Sequence, residues 1–207
     1  MKTLSYSTIS TAVMLGLASV GGLASISAHA DVLEVIEVTA QKRTQSVQEV
    51  GISITAFSGE QLDALGYDNA QEVTAMAPGV TAIQPNGPSA FYINIRGVAQ
   101  NDFSGDHQES PVAVYLDEAY ISASSGAGFQ LFDIERVEIL KGPQGTLFGR
   151  NATGGLVHYI SRKPTDTFEG YGKVTLGSYN QILTEGAIGG ALTDTLFTRF
   201  SFTTNNH

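Results

Sequence analysis

The stretch from Asp133 to Pro164, DIERVEILKGPQGTLFGRNATGGLVHYISRKP, constrains the fold more than any other part of the chain. It opens as a strand with charges at alternate positions, spends five glycines between positions 142 and 155, and then returns to a strand. Loops that rich in glycine often cradle a phosphate, so this one has to be decided first. Gly149 and Gly154 have the spacing of a phosphate loop, but Gly155 and Leu156 stand where the lysine and the Ser or Thr of such a loop must be. Without a lysine to reach the phosphates the loop is not a nucleotide site. Its glycines are assigned to positive φ and to close backbone approach.

The rest of the chain agrees with a strand-rich fold. Eight tyrosines and ten phenylalanines outnumber the eleven basic residues, and there are 23 glycines among 207 residues. Short strands are predicted at 52–57, 80–83, 91–97, 112–116, 119–121, 134–140 and 156–161, joined by loops rich in glycine and serine. Two small helices interrupt them. Ser58 with Gln61 forms a capping box and Gly66 closes the first helix, while Asp68 with Gln71 opens a second that ends at Pro78-Gly79. The expectation is an α+β domain with short mixed strands and two small helices. Beyond it, 170–178, 181–192 and 195–204 read as three longer antiparallel strands with turns at Tyr179-Asn180 and Thr193-Asp194. In the last of these, Leu196, Thr198, Phe200 and Phe202 share one face and Arg199, Ser201 and Thr203 the other. That is the pattern of a membrane barrel wall, and equally that of a half-buried soluble sheet.

Residues 1–30 have Lys2 near the start, an apolar run and a terminal Ala28-His29-Ala30, which reads as a secretory signal cleaved before Asp31. The chain contains no cysteine, so disulfides and thiolate metal sites are excluded. A formal charge of −9 argues against nucleic acid as a partner, since phosphate backbones demand clustered Lys and Arg. No trio of side chains suggests nucleophilic or acid–base catalysis, and no cofactor or metal is implied. His107, beside Asp106 and Glu109, is read as a residue of a solvated loop.

Taken in order, VIEVTAQKR, TAFSGEQLDALG, APGV, INIRGV, VYLDEAYI, FDIERVEILKGPQGTLFGRNATGG and ISRKP followed by GYGKVTLGSYN resemble the N-terminal part of a TonB-dependent outer-membrane receptor. The resemblance runs from Val32 to the end of the chain. It implies a plug domain seated in a barrel of about twenty-two strands. On this basis the chain divides into a signal peptide (1–30), a TonB box and linker (31–45), a plug (46–164) and the first strands of an incomplete barrel (165–207). It implies uptake of a bulky nutrient, most often a ferric siderophore, with TonB and its inner-membrane energising complex as partners and the outer membrane as location. The 207 residues alone would then be a fragment or truncated product, residing in the periplasm.

The TonB box maps to Val35, Ile36, Glu37, Val38, Thr39 and Ala40. Nothing follows closely enough to make a hairpin, so the segment is expected to be a free strand that adds to a sheet edge of TonB. Arg96, Gly97, Arg136, Glu138, Lys141, Gly142, Gly149, Arg150, Gly154 and Gly155 are expected to serve the plug core or its contact with the barrel wall. The apical ligand-loop candidates are Gln84, Asp102, Phe103, Asp106, His107, Glu109 and Phe129, with Tyr120 a further aromatic that could meet an apolar ligand. Three positions depart from the family pattern: Glu37 replaces an apolar residue, Glu118 a glycine, and His158 an asparagine. The alternative from another class is a stand-alone periplasmic binding module, or a truncated receptor without function.

Overall fold

The computed structural model describes residues 36–85, 91–100, 109–123 and 128–206. The expected signal peptide, Val35, and Asp102, Phe103, Asp106 and His107 lie outside them. A short hairpin comes first, β1 (Glu37–Val38) paired antiparallel with β2 (Gln45–Ser46). The domain then runs through β3 (Ser53–Ser58), α1 (Gly59–Leu65), α2 (Ala70–Met76), β4 (Val80–Ile83), β5 (Tyr92–Ile95), β6 (Val112–Leu116) and β7 (Ala119–Ile121). It closes with β8 (Ile134–Lys141), the one-turn α3 (Gly145–Phe148) and β9 (Gly155–Ser161).

Five strands form the central sheet in the order β3-β8-β9-β6-β7, antiparallel except for β6 against β9. Strand alternation gives the sheet two buried faces. Val137, Ile139, Val157, Tyr159, Val112 and Val114 share the face covered by the helices and the β4–β5 ribbon, meeting Leu62, Val73, Ile93 and Ile95. Each such side chain contributes about 1.5–3 kcal/mol of burial. Leu140, Leu156, Ala113 and Ile54 lie on the opposite face, where Phe148, Val38 and Ala40 pack on them. The N-terminal segment is therefore the cover of the second face.

The helix ends follow their sequence signals, with one shift. Ser58 and Gln61 form the capping box and Gly66 ends α1 at φ 72°. The second helix is capped by Asn69, which accepts from Glu72 N at 3.0 Å, and not by Asp68. The Asp68 carbonyl is held by Leu131 N (2.8 Å) and Asn69 bridges Gln130, so the chain stays extended one residue longer than expected.

The glycine loop between β8 and β9 turns its amides on itself. Gly142 N donates to Gly154 O (3.0 Å), Gln144 N to Ala152 O (2.8 Å) and Gly154 N to Pro111 O (2.9 Å). Those donors are spent and do not face an anion. A Cβ on Gly155, whose φ is +141°, would fall 2.3 Å from the carbonyl oxygen of Leu140. Close approach is what this glycine serves.

The last three strands are β10 (Glu169–Leu176), β11 (Ile182–Thr193) and β12 (Leu196–Asn206), antiparallel in sequence order. Tyr179 and Asn180, both at positive φ, make the first turn. Cross-strand register puts Tyr171, Ala187 and Ser201 on one face, with Lys173, Glu185 and Thr203 beside them. The other face shows Val174, Leu176, Ile182, Ile188, Phe200 and Phe202 to the outside.

Candidate functional site

The segment 36–40 was expected to be free and is not. Val38 and Ala40 are fully buried, Ile36 is partly so, and the Ile36 carbonyl accepts from Val47 N at 3.0 Å. The reversal at 39–44, where Lys42 takes φ 57°, is what allows Glu37–Val38 to pair with Gln45–Ser46. Sequence reading missed it because this turn has neither glycine nor proline. Glu37 points to solvent, which accounts for a charge in a place where an apolar residue is usual.

One carboxylate anchors the segment. Glu138, with no exposed surface, accepts through Oε1 from Thr39 N (2.7 Å), from Thr39 Oγ1 (3.3 Å) and from Arg136 Nε (2.8 Å). Arg136 closes the triangle by donating from Nη2 to Thr39 Oγ1 (3.1 Å), and its Nη1 meets Glu135. A backbone amide on a charged acceptor is among the stronger hydrogen bonds available. Farther along, Lys42 pairs with Glu118 at 2.5 Å and lies 5.0 Å from the centre of the Phe148 ring. Lys42 holds the Glu118 carboxyl below its usual range. Two of the departures from the family pattern, the exposed Glu118 and the buried His158, thus lie beside this segment.

His158 stands directly across from Glu138 on β9. Its Nε2 meets the Asp117 carbonyl, while Tyr115 and Phe148 flank the ring at 6.1 and 6.3 Å. A cavity of about 230 Å³ opens beside it, walled by Thr39, Lys42, Arg43, Arg136 and Lys163. Arg136 and Glu138 were expected to serve the plug core or the wall; they serve the N-terminal segment.

Contact between the plug and the three long strands runs through residues that sequence reading did not select. Arg199 on β12 grips Asp133 with two bonds, Nε to Oδ2 at 2.7 Å and Nη2 to Oδ1 at 2.5 Å, and reaches Glu169 with Nη1 at 2.8 Å. Both side chains are nearly buried, at 6% and 5% exposure. Lys173 bridges Asp63 of α1 (2.9 Å) and Glu185 of β11 (3.2 Å). A signal existed: Arg199 is the charged residue on the inward face of its strand, and Asp133 precedes β8 at φ 55°.

The remaining candidates separate. Arg96 and Gly97, at φ 54° and 85°, form the tight turn joining Ile95 to Val98, and Arg96 Nη2 donates to Ser53 Oγ at 2.7 Å. Lys141 is nearly buried, and its burial, then the Arg96 charge, push its ammonium below the ordinary lysine range. Arg150 pairs with Glu109 at 2.7 Å on the surface. Phe129 packs edge-on against Tyr159 at 4.9 Å, so it belongs to the core. Tyr120 lies beside Tyr115 and accepts from Asn151, on the face that carries the N-terminal segment. Gln84 is exposed just past β4.

Comparison with known proteins agrees with this architecture. Residues 46–156 match the family model of the TonB-dependent receptor plug domain. The chain is 32% identical over 138 residues to the pesticin receptor of Yersinia enterocolitica, covering 66% of this chain and 20% of that protein. It is 28% identical over 156 residues to the ferripyoverdine receptor of Pseudomonas aeruginosa, covering 75% and 18%. Among solved structures, the ferric yersiniabactin uptake receptor FyuA from Yersinia pestis superposes with a TM-score of 0.67 at 26% identity, covering 73% of this chain and 24% of that one. The chain spans about a fifth of the length of the curated relatives it matches. With a family model matched over more than half of its length, from residue 46 to 156, the chain belongs to the TonB-dependent receptors, of which it carries the plug domain.

Proposed function

We propose that the chain is the plug-bearing N-terminal portion of a receptor that takes up a bulky nutrient across the outer membrane at the expense of energy delivered by TonB. The ligand class we assign is a ferric siderophore, in keeping with relatives named for ferripyoverdine and ferric yersiniabactin. In this reading 1–30 is a signal peptide, 31–45 the coupling segment and its linker, 46–164 the plug, and 165–207 the start of the barrel wall. The outward row of Val174, Leu176, Ile182, Ile188, Phe200 and Phe202 suits a lipid-facing surface.

The observation that carries the reading is the way residues 36–40 are held. The pairing of β1 with β2 covers two residue pairs, and a backbone hydrogen bond is worth about 1 kcal/mol net. Such a hairpin can be exchanged for a strand added to another protein's sheet edge. The side chains at Val38, Ala40 and Thr39 supply the rest of the holding force, and they are what a partner has to displace.

The test is energised uptake by cells expressing the full-length receptor, with iron-loaded pyoverdine and yersiniabactin as probes. Ile36→Pro removes a backbone donor at the segment's start without emptying the Val38 site. Surface binding of the probe should survive and uptake should fall to the level of cells lacking TonB. Glu37→Ala, at an exposed position, should leave uptake close to normal. Full uptake by the proline variant would remove 36–40 from the coupling role.

A further inference from the structure

The cavity beneath the reversal at 39–44 gathers positive charge in a chain whose formal charge is −9. Of the eleven basic residues, Lys42, Arg43, Arg136 and Lys163 line it, against two of the twenty acidic ones, Asp117 and Glu118. Most of these charges already have partners. Glu118 takes Lys42 at 2.5 Å, and Arg136 is held by Glu138 and Glu135. Asp117 accepts from Ser161 N at 2.9 Å and from Ser161 Oγ at 3.0 and 3.1 Å. Arg43 and Lys163 remain: neither makes a hydrogen bond or ion pair among the described residues. Glu118, lowered first by its bond with Lys42, also feels the Lys163 charge without pairing with it.

We propose that this cavity binds a small, doubly charged oxyanion of the phosphate class, which bridges Arg43 to Lys163 and so holds the N-terminal segment against the plug. The two cations come from different parts of the chain: Arg43 from the reversal between β1 and β2, Lys163 from the residues that leave β9. An anion of one charge leaves one of them uncompensated. Two charges spread over several acceptor oxygens answer both, through charge-assisted bonds about twice as strong as neutral ones. Thr44 on the same wall adds a hydroxyl that has no partner among the described residues. The volume, about 230 Å³, is several times the roughly 30 Å³ share of one water, so a phosphate enters with part of its hydration. The site depends on the docked position of residues 39–44 and stands whether or not they couple to TonB.

Opening the reversal carries Arg43 away from Lys163 and takes the site apart, so the oxyanion binds the docked form in preference. A ligand of that kind lowers the opened population by the factor 1 + [L]/Kd. Thr39 N, bonded to Glu138 at 2.7 Å, is the amide whose hydrogen exchange reports this opening.

Inorganic phosphate is the probe, titrated into the full chain at fixed pH and at an ionic strength held constant with chloride, because exposed charges respond to salt alone. The Arg43 Nε–H resonance gives Kd, and exchange of Thr39 N gives docking. The expected result is a saturable shift of Arg43 and, at phosphate ten times Kd, exchange at Thr39 slowed about tenfold. Arg43→Gln and Lys163→Gln, both at exposed positions, should each remove the slowing. Arg150→Gln, which deletes an exposed cation elsewhere, should keep it. Near-ultraviolet dichroism of the tyrosines checks that each variant keeps its plug. The proposal is overturned if phosphate neither shifts Arg43 nor slows Thr39, or if the slowing survives in both the Arg43 and the Lys163 variants. If exchange responds as expected while Ile36→Pro still transports, the oxyanion site stands and the coupling role falls.

Discussion

Glu138 shows how little local pattern says about a residue's partners. In DIERVEIL it alternates with apolar residues and was expected in the plug core or against the barrel wall; it has no exposed surface, and what it holds is Thr39. Its face of the sheet is covered by residues 36–40, almost a hundred positions away, and periodicity carries no information about such a cover. Gly155 was legible for the opposite reason, since only local geometry is involved. Gly155→Ala places a Cβ against the Leu140 carbonyl in a backbone region that side chains avoid, so it should cost at least about 1–3 kcal/mol in strain alone. Gly145→Ala meets nothing within 4 Å and should be tolerated. Denaturant midpoints of the two variants give the comparison directly, and equal midpoints would refute the close-approach role.

At the scale of elements, strands with β-branched alternation and helices with capping boxes were recoverable to within a residue or two, as at Val80–Ile83, Val112–Leu116 and the Ser58 cap. The hairpin of β1 with β2 was not, because its turn gains positive φ at Lys42 without a turn-forming residue and its stability comes from the sheet beneath it. The pairing of the long strands with the plug was also hidden, since it depends on which inward charge meets which acid. Arg199→Met leaves Asp133 buried without its partner and should destabilise the chain by about 3 kcal/mol or more. Asp63→Ala removes a largely exposed partner of Lys173 and should cost less than about 1 kcal/mol. Chemical denaturation monitored by tyrosine dichroism separates the two, and a silent Arg199→Met would mean that the strands are not held through this pair.

For the molecule as a whole, the two-faced sheet shows how the segment proposed for energy coupling also serves as part of the structure. One face is sealed permanently by the helices and the β4–β5 ribbon; the other is sealed by a short hairpin with few backbone bonds and a single buried carboxylate. On the proposed coupling role, a pull on the N-terminus would reach the plug through the contacts of this segment with Glu138, Arg136 and Glu118. The most direct measurement is a titration of the isotope-labelled full chain with the periplasmic domain of TonB, followed through the backbone amides of Glu37, Val38 and Thr39. The expected result is that their docked resonances are replaced by those of a new strand pairing while core amides such as Val157 on the helix-covered face stay in place. Binding that leaves residues 36–40 docked and shifts signals elsewhere would contradict the account.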